Sequence, residues 1–122
     1  MTRDDFTALV EQALTEVPPE FAVHLENIVV VVEDEPAPDL LRSMGLDPAR
    51  DTLFGLYHGV PLPERGATFG NALPDQISIY YRPLLRACRF PQRIRREIRR
   101  TVIHEIAHYF GMDDDEIAEL GY

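Results

Sequence analysis

Residues 104–114 hold the most informative pattern in the chain. They read His104-Glu105-Ile106-Ala107-His108-Tyr109-Phe110-Gly111-Met112-Asp113-Asp114. On a helix the two histidines, four residues apart, lie about one turn from each other and project from the same face. That spacing allows both imidazoles to reach one metal ion at about 2.0–2.1 Å, so the pattern predicts a metal site.

The other residues of this pattern suit a catalytic zinc site. Glu105 sits roughly 100° around the helix from the first histidine, beside the metal, where it can take a proton from a metal-bound water. Gly111 lacks a Cβ and can turn the chain back sharply, so that Asp114 returns to the metal as a third ligand. Asp113 or Asp115 could take that place instead. Two imidazoles, one carboxylate and one water complete a site of the catalytic type.

The motif lies in the longest predicted helix, from Pro91 to Phe110. Gly111 is placed to end this helix in a left-handed cap, and residues 115–120 predict a final short helix. The apolar positions of the long helix step by four and form one stripe: Ile94, Ile98, Val102, Ile106 and Phe110.

Upstream of this helix the sequence predicts a first helix and three strands. The first helix begins near Thr2 and is stopped by Pro18-Pro19. The first strand, residues 28–32, is a continuous β-branched run typical of a strand covered on both faces. The other strands are residues 53–60, with Gly55 as a candidate bulge, and residues 76–81, which Pro83 ends. We also expect a turn or extended segment at residues 21–25, a helical turn at residues 39–44 and a loop at residues 61–74.

The composition is that of a globular protein with one domain, residues 1–122. Apolar residues make up 45% of the chain and charged residues 27%, which is ordinary for that class. The formal net charge of −9 argues against nucleic acid and against an anionic membrane surface as partners. Cys88 is the one cysteine, so no internal disulfide is possible and a reducing compartment fits best. The acidic N-terminus lacks the apolar core of a signal peptide, and we expect a cytoplasmic protein.

The motif resembles that of the zincin peptidases in the form His-Glu-x-x-His-x-x-Gly-x-x-Asp, and the short chain is similar to the small bacterial zincin-like metallopeptidase family. The resemblance implies that His104, His108 and Asp114 bind one zinc ion and that Glu105 is the catalytic base. The implied fold class is α+β: a small twisted mixed sheet packed on two main helices, with the active-site helix near the C-terminus. The strand at residues 76–81 would be the edge strand, to which an extended peptide substrate adds.

Two functions follow from this resemblance. The first is a zinc metallopeptidase that hydrolyses a peptide or protein substrate through a zinc-bound water activated by Glu105. The second is a zinc-binding module that has no peptidase activity of its own and acts through a protein partner. Full-size zincin peptidases carry a second subdomain after the motif, whereas here eight residues follow Asp114. We therefore expect the lower wall of the cleft to be missing unless a partner or a second copy supplies it.

Other side chains are weaker candidates. Glu97 and Thr101 fall on the histidine face and could orient an imidazole. The arginines of residues 93–100 could bind an acidic peptide or a carboxy terminus, although such a run is more often a solvated helix face. His24 and Cys88 are expected to be structural. Four further side chains could supply an oxyanion partner: His58, Tyr80, Tyr81 and Tyr109.

Overall fold

The computed structural model describes residues 1–23, 25–59 and 75–122, so the predictions for His24, Val60 and the loop at residues 61–74 fall outside the described part. The helices are α1 (Arg3–Thr15), α2 (Pro19–Ala22), α3 (Pro38–Ser43), α4 (Tyr81–Ala87), α5 (Pro91–Tyr109) and α6 (Asp114–Glu119). The strands are β1 (Ile28–Glu33), β2 (Gly55–His58) and β3 (Asp75–Tyr80), and a 3-10 turn at Leu25–Asn27 precedes β1. Within the described ranges, no helix is both long and apolar enough to cross a membrane.

The three strands form one mixed sheet in the order β1-β3-β2. β1 runs parallel to β3, with Ile28 opposite Asp75, and β2 runs antiparallel to β3, with Gly55 opposite Ile79. β3 therefore lies at the centre of the sheet, and the prediction that it forms the edge is wrong. Its alternation of polar and apolar residues concealed this position, because Ser78 is fully buried although it is polar.

β1 is an edge strand of this sheet. The prediction that it is covered on both faces is wrong. Val29 is 46% exposed, and most residues of β1 are only half-buried. The β-branched run predicted the strand correctly, because branched side chains suit the pleated backbone. The burial of β1 could not be predicted from the β-branched run, since it depends on which elements pack beside the strand.

α1 and α5 are the two main helices that pack with the sheet around a shared core. The spacing of apolar residues predicted both buried faces, since residues three and four apart on a helix share a side. The predicted α+β fold, a small mixed sheet packed on two main helices, is confirmed. The core includes residues of α1 (Phe6, Val10, Ala13), of α5 (Ile94, Ile98, Val102, Ile106) and of β3 (Ile77, Ile79).

Three local predictions differ from the structure. Pro83 does not end β3; it lies in the first turn of α4, where a backbone amide has no intrahelical acceptor to lose. The segment predicted as a turn or extended at residues 21–25 includes the end of α2, a single helical turn that begins at Pro19. Gly55 pairs with Ile79 in regular register, so it forms no bulge.

Candidate metal centre

His104 and His108 lie one turn apart on α5, with 4.8 Å between their ring centroids. Their side chains are 29% and 30% exposed, so both rings are largely buried but partly accessible. Asp114 Oδ1 lies 3.3 Å from His104 Nε2 and 3.2 Å from His108 Nε2. The structure thus brings together the two histidines and the aspartate singled out in the sequence.

A tight turn after α5 returns Asp114 to the histidines. Gly111 has a φ of 83°, a left-handed conformation that residues with a Cβ rarely adopt. Its amide donates a hydrogen bond to the His108 carbonyl at 2.9 Å, which closes the end of the helix. The predicted left-handed cap is confirmed, and the next element, α6, begins at Asp114 itself.

Asp113 and Asp115, the alternative third ligands, are placed differently. Asp113 is the N-cap of α6, and its Oδ1 accepts a hydrogen bond from the Glu116 amide at 2.8 Å. Asp115 is exposed in the first turn of α6. Of the three aspartates, Asp114 is the one whose carboxylate lies within ion-pair distance of both imidazoles.

The donor atoms fit a zinc ion in spacing and in chemistry. Ligands about 2.0–2.1 Å from a tetrahedral ion lie roughly 3.3–3.4 Å from one another, which is close to the 3.3 and 3.2 Å between the imidazole nitrogens and Asp114 Oδ1. His108 Nδ1 lies 3.0 Å from the Met112 carbonyl oxygen. Because a carbonyl only accepts, Nδ1 carries the proton and Nε2 keeps its lone pair for a metal.

Glu105 is buried beside the histidines, with 7% of its surface exposed. Ligand atoms of His104, Glu105 and His108 all lie within 4.8 Å of one another, so this group could hold a metal ion. Glu105 Oε1 accepts a hydrogen bond from the backbone amide of Tyr57 at 3.0 Å. Burial raises the pKa of the Glu105 carboxyl, while the His108 and His104 imidazoles and the Tyr57 amide oppose the rise. A carboxyl with a raised pKa is suited to proton transfer in neutral solution.

β2 and α5 approach each other closely at Gly55. A Cβ at this position would lie 2.7 Å from Thr101 Cγ2 and 3.3 Å from Glu105 Cγ. It would also lie 3.1 Å from the Ser78 carbonyl oxygen. Glycine therefore allows α5 to pack directly against the strand, and this contact brings Glu105 within hydrogen-bond reach of the strand backbone.

A cleft of about 490 Å³ opens from the metal centre along α5. Tyr122 forms part of its lining, and a backbone oxygen of Tyr122 accepts a hydrogen bond from Arg100 Nε at 3.1 Å. Of the residues after Asp114, Tyr122 borders this cleft, and the expected absence of a lower wall stays a prediction. The lining consists of Thr52, Leu53, Phe54, Gly55, Glu97, Arg100, Thr101, His104, Glu105 and Tyr122.

The four candidate oxyanion partners do not line this cleft. The Tyr81 hydroxyl donates to the Met1 carbonyl at 2.6 Å, and the Tyr109 ring packs edge-on against Tyr57. His58 Nε2 lies 3.3 Å from Ser78 Oγ on the sheet. Tyr80 is buried in β3.

The remaining candidates are Glu97, Thr101 and Cys88. Glu97 and Thr101 line the cleft, but within the described ranges neither forms a hydrogen bond with an imidazole, and Thr101 instead packs toward Gly55. Cys88 is structural as predicted: it is buried in the core, and burial raises the pKa of its thiol.

Three features of the centre were not predicted from the sequence. No sequence pattern indicates that the Tyr57 amide binds Glu105, because the direction of this amide depends on which side of β2 pairs with β3. Gly55 did leave a signal, since an isolated glycine in a strand indicates either a bulge or a close approach of another element. Tyr122 is distant in sequence from the histidines and reaches the cleft only through the packing of α6.

Two comparisons with known proteins found a match. The family model of the zincin-like metallopeptidases matches residues 25–122. A solved structure, that of a conserved hypothetical protein from Thermo thermophilus, is similar with a TM-score of 0.59 and 27% sequence identity. That match covers 90% of this chain and 94% of the other. No curated protein matches the chain.

Proposed function

The chain belongs to the zincin-like metallopeptidase family, and from that membership we propose that it is a zinc-dependent peptidase whose metal is held by His104, His108 and Asp114. The observation that carries the proposal is the approach of Asp114 Oδ1 to both imidazole Nε2 atoms, at 3.3 and 3.2 Å. Glu105 is less suited to be the third ligand, because the Tyr57 amide already binds its Oε1. Three protein donors leave the fourth position of a tetrahedral ion open, as catalysis requires.

Glu105 is the general base of the proposed reaction. A bound zinc ion would supply Lewis-acid polarisation of the scissile carbonyl and would lower the pKa of water in the site. Glu105 takes a proton from the attacking water and then passes it to the leaving amine. Its burial supports this role. Because burial raises the pKa of the carboxyl, the group can act first as a base and then as an acid.

The proposed binding edge for an extended substrate is β2. Tyr80 N donates to Phe54 O, so alternate residues of β2 bond to β3 while Gly55 and Tyr57 turn their backbone groups outward. The Tyr57 amide accordingly reaches Glu105. A peptide that adds at Gly55, on this side of β2, would lie in the cleft that His104 also lines, which supports β2 in place of β3 as the strand to which the substrate adds.

The proposal extends to the compartment and the partners of the protein. We place the activity in the cytoplasm, because Cys88 is a buried free thiol that needs no oxidising environment. The substrate is a peptide or an unfolded protein segment. Tyr122 borders the cleft, and a protein partner that extends this wall belongs to the alternative of a non-catalytic zinc-binding module.

Glu105→Gln tests this function. The variant should keep its zinc and lose cleavage of a fluorogenic decapeptide pool by at least about a hundredfold, because the amide cannot take a proton. Glu11→Gln on the exposed side of α1 is the matched control and should cleave as the wild type does. Undiminished cleavage by Glu105→Gln would refute the proposed role. Zinc-loaded wild-type protein that cleaves nothing would instead favour a non-catalytic zinc-binding module.

A further inference from the structure

β2 and α5 run side by side along the cleft, with contacts at regular steps. The Tyr57 amide binds Glu105, and two residues earlier in the strand Gly55 lies against Thr101, one turn earlier in the helix. Two strand residues span about 6.6 Å and four helical residues about 6 Å, so the two elements stay in step. A peptide that adds to the outward side of β2 therefore follows α5 turn by turn toward its N-terminal half.

Glu97 lines the cleft two turns of α5 before His104. Leu53, two residues before Gly55, also lines the cleft, so the next step along strand and helix leads to Leu53 and Glu97. Seven residues of helix span about 10.5 Å, which corresponds to about three residues of an extended peptide. A substrate group about three residues from the cleaved bond therefore comes within reach of Glu97.

The Glu97 carboxylate is unpaired in the part of the chain that the structure describes. It forms no hydrogen bond or ion pair there, although the residue is only partly exposed. Arg100 lines the same cleft, but its Nε donates to a backbone oxygen of Tyr122 at 3.1 Å. Arg95 and Arg99 line a separate recess against α1. Because a carboxylate partly removed from water is costly to leave unpaired, Glu97 would gain from a cationic partner.

We propose that Glu97 selects peptides that carry a cationic nitrogen about three residues from the cleaved bond. The inference rests on the proposed peptidase function and names the substrate class of the same site. The cationic nitrogen belongs either to a lysine or arginine side chain or to the free amino terminus of the peptide. The net charge of −9 adds a long-range attraction for such peptides.

Paired peptide pools test the proposal. Fluorogenic decapeptide pools carry one Lys or one Gln at a fixed position, and each is made with a free or an acetylated N-terminus. Wild-type protein should show kcat/KM about tenfold higher for the pool with Lys at the favoured position, as expected for a charge-assisted hydrogen bond. If the amino terminus provides the cation, the same ratio appears between free and acetylated pools.

Variants assign the preference to a residue. Glu97→Gln should reduce the Lys-to-Gln ratio to near one, because the amide keeps the shape of the side chain without its charge. Glu97→Asp should keep part of the ratio, since the charge remains on a shorter side chain. Glu11→Gln, on the exposed side of α1, is the matched control and should keep the wild-type ratio. High salt should lower the wild-type ratio by screening the charges.

Zinc titration separates substrate selection from support of the metal centre. Within the described residues, Glu97 forms no hydrogen bond with His104 or His108, so Glu97→Gln should bind zinc as tightly as the wild type. A ratio that falls only because Glu97→Gln has lost its zinc would overturn the inference.

Binding separates the inference from the proposed function. Affinities of the zinc-loaded Glu105→Gln protein for the same pools should show the cationic preference without turnover. Cation-selective binding that depends on Glu97, with no cleavage by the wild type, would sustain the inference and refute the peptidase. Cleavage without any cationic preference, a preference unchanged in Glu97→Gln, or no binding of any pool would each overturn the inference.

Discussion

Gly55 sets the distance between β2 and α5, and adding a single methyl group there should destabilise the fold. In Gly55→Ala the new Cβ would lie 2.7 Å from Thr101 Cγ2 and 3.1 Å from the Ser78 carbonyl oxygen. We expect a loss of about 1–3 kcal/mol in the free energy of unfolding, as for other overpacked sites. Urea denaturation of the wild type and the variant measures the loss.

A double-mutant cycle checks the cause of that loss. Thr101→Ser removes Cγ2 and keeps the hydroxyl, so it should restore part of the stability of Gly55→Ala. Alone, the same change should destabilise the wild type slightly, because it leaves a small void. If the two losses simply add, the close contact between β2 and α5 is not the reason that residue 55 is glycine.

The buried carboxyl of Glu105 makes the metal-free fold sensitive to pH. Burial raises its pKa above the unfolded value, so the contribution of this group to stability is lost as pH rises through the folded pKa. In chelator near neutral pH, Glu105→Gln should therefore have a Tm a few degrees higher than the wild type. The difference should shrink in acid, where the wild-type carboxyl becomes neutral.

Thermal melts of the metal-free proteins at several pH values test this. Glu119→Gln, on the exposed surface of α6, should melt as the wild type does at each pH. A lower Tm for Glu105→Gln near neutral pH would mean that the Tyr57 amide and the imidazoles outweigh the effect of burial.

At the residue scale, the sequence predicted which side chains lie together in the candidate metal centre. It did not predict which backbone groups contact them. His104, Glu105 and His108 are close because the helix alone fixes their relative positions, and Asp114 is close because Gly111 reverses the chain. The hydrogen bond from the Tyr57 amide to Glu105 joins residues far apart in sequence. No local spacing predicts such a contact, because it depends on the packing of β2 against α5.

Among the elements, α6 orients the third predicted ligand. Asp113 caps this helix, and Asp113→Ala should destabilise it by about 1 kcal/mol. Asp114 would then be held less firmly beside the histidines, so zinc affinity should fall by about tenfold, the lower end of the range for residues that orient ligands. Zinc titration against a competing chelator measures the change.

The cap of α1 provides the control for that experiment. Thr2 closes a capping box of the same kind at the other end of the chain, so Thr2→Ala should lower stability by a similar amount. Its zinc affinity should remain that of the wild type. Equal zinc affinities in both cap variants would show that α6 does not orient Asp114.

The helices and strands were predictable to the extent that their signals are local. The apolar stripe, the prolines and Gly111 located α5 closely, and the β-branched run located β1. The order of the strands was not predictable in the same way, because strand pairing is decided between distant segments. β3 was mistaken for the edge since its alternating residues look half-exposed, whereas β1 and β2 cover both of its sides.

For the whole molecule, the predicted family and α+β fold are confirmed, and the metal centre is the claim on which the proposed function depends. Its donors come from two elements, α5 and α6, joined by the turn at Gly111. A metal bound between them would stabilise the folded chain over the unfolded one, because the unfolded chain has no preformed site. Metal and protons compete for the same imidazole nitrogens, so that binding would release protons.

Zinc binding by the wild type and two aspartate variants tests this claim most directly. Titration at neutral pH should find one tightly bound zinc ion in the wild type and in Asp115→Asn, whose side chain is exposed and forms no ion pair with either imidazole within the described residues. Asp114→Asn should bind zinc at least about tenfold more weakly, because the neutral amide is a poorer donor than the carboxylate. No zinc binding by the wild type, or equal affinities in Asp114→Asn and the wild type, would contradict the metal centre described above.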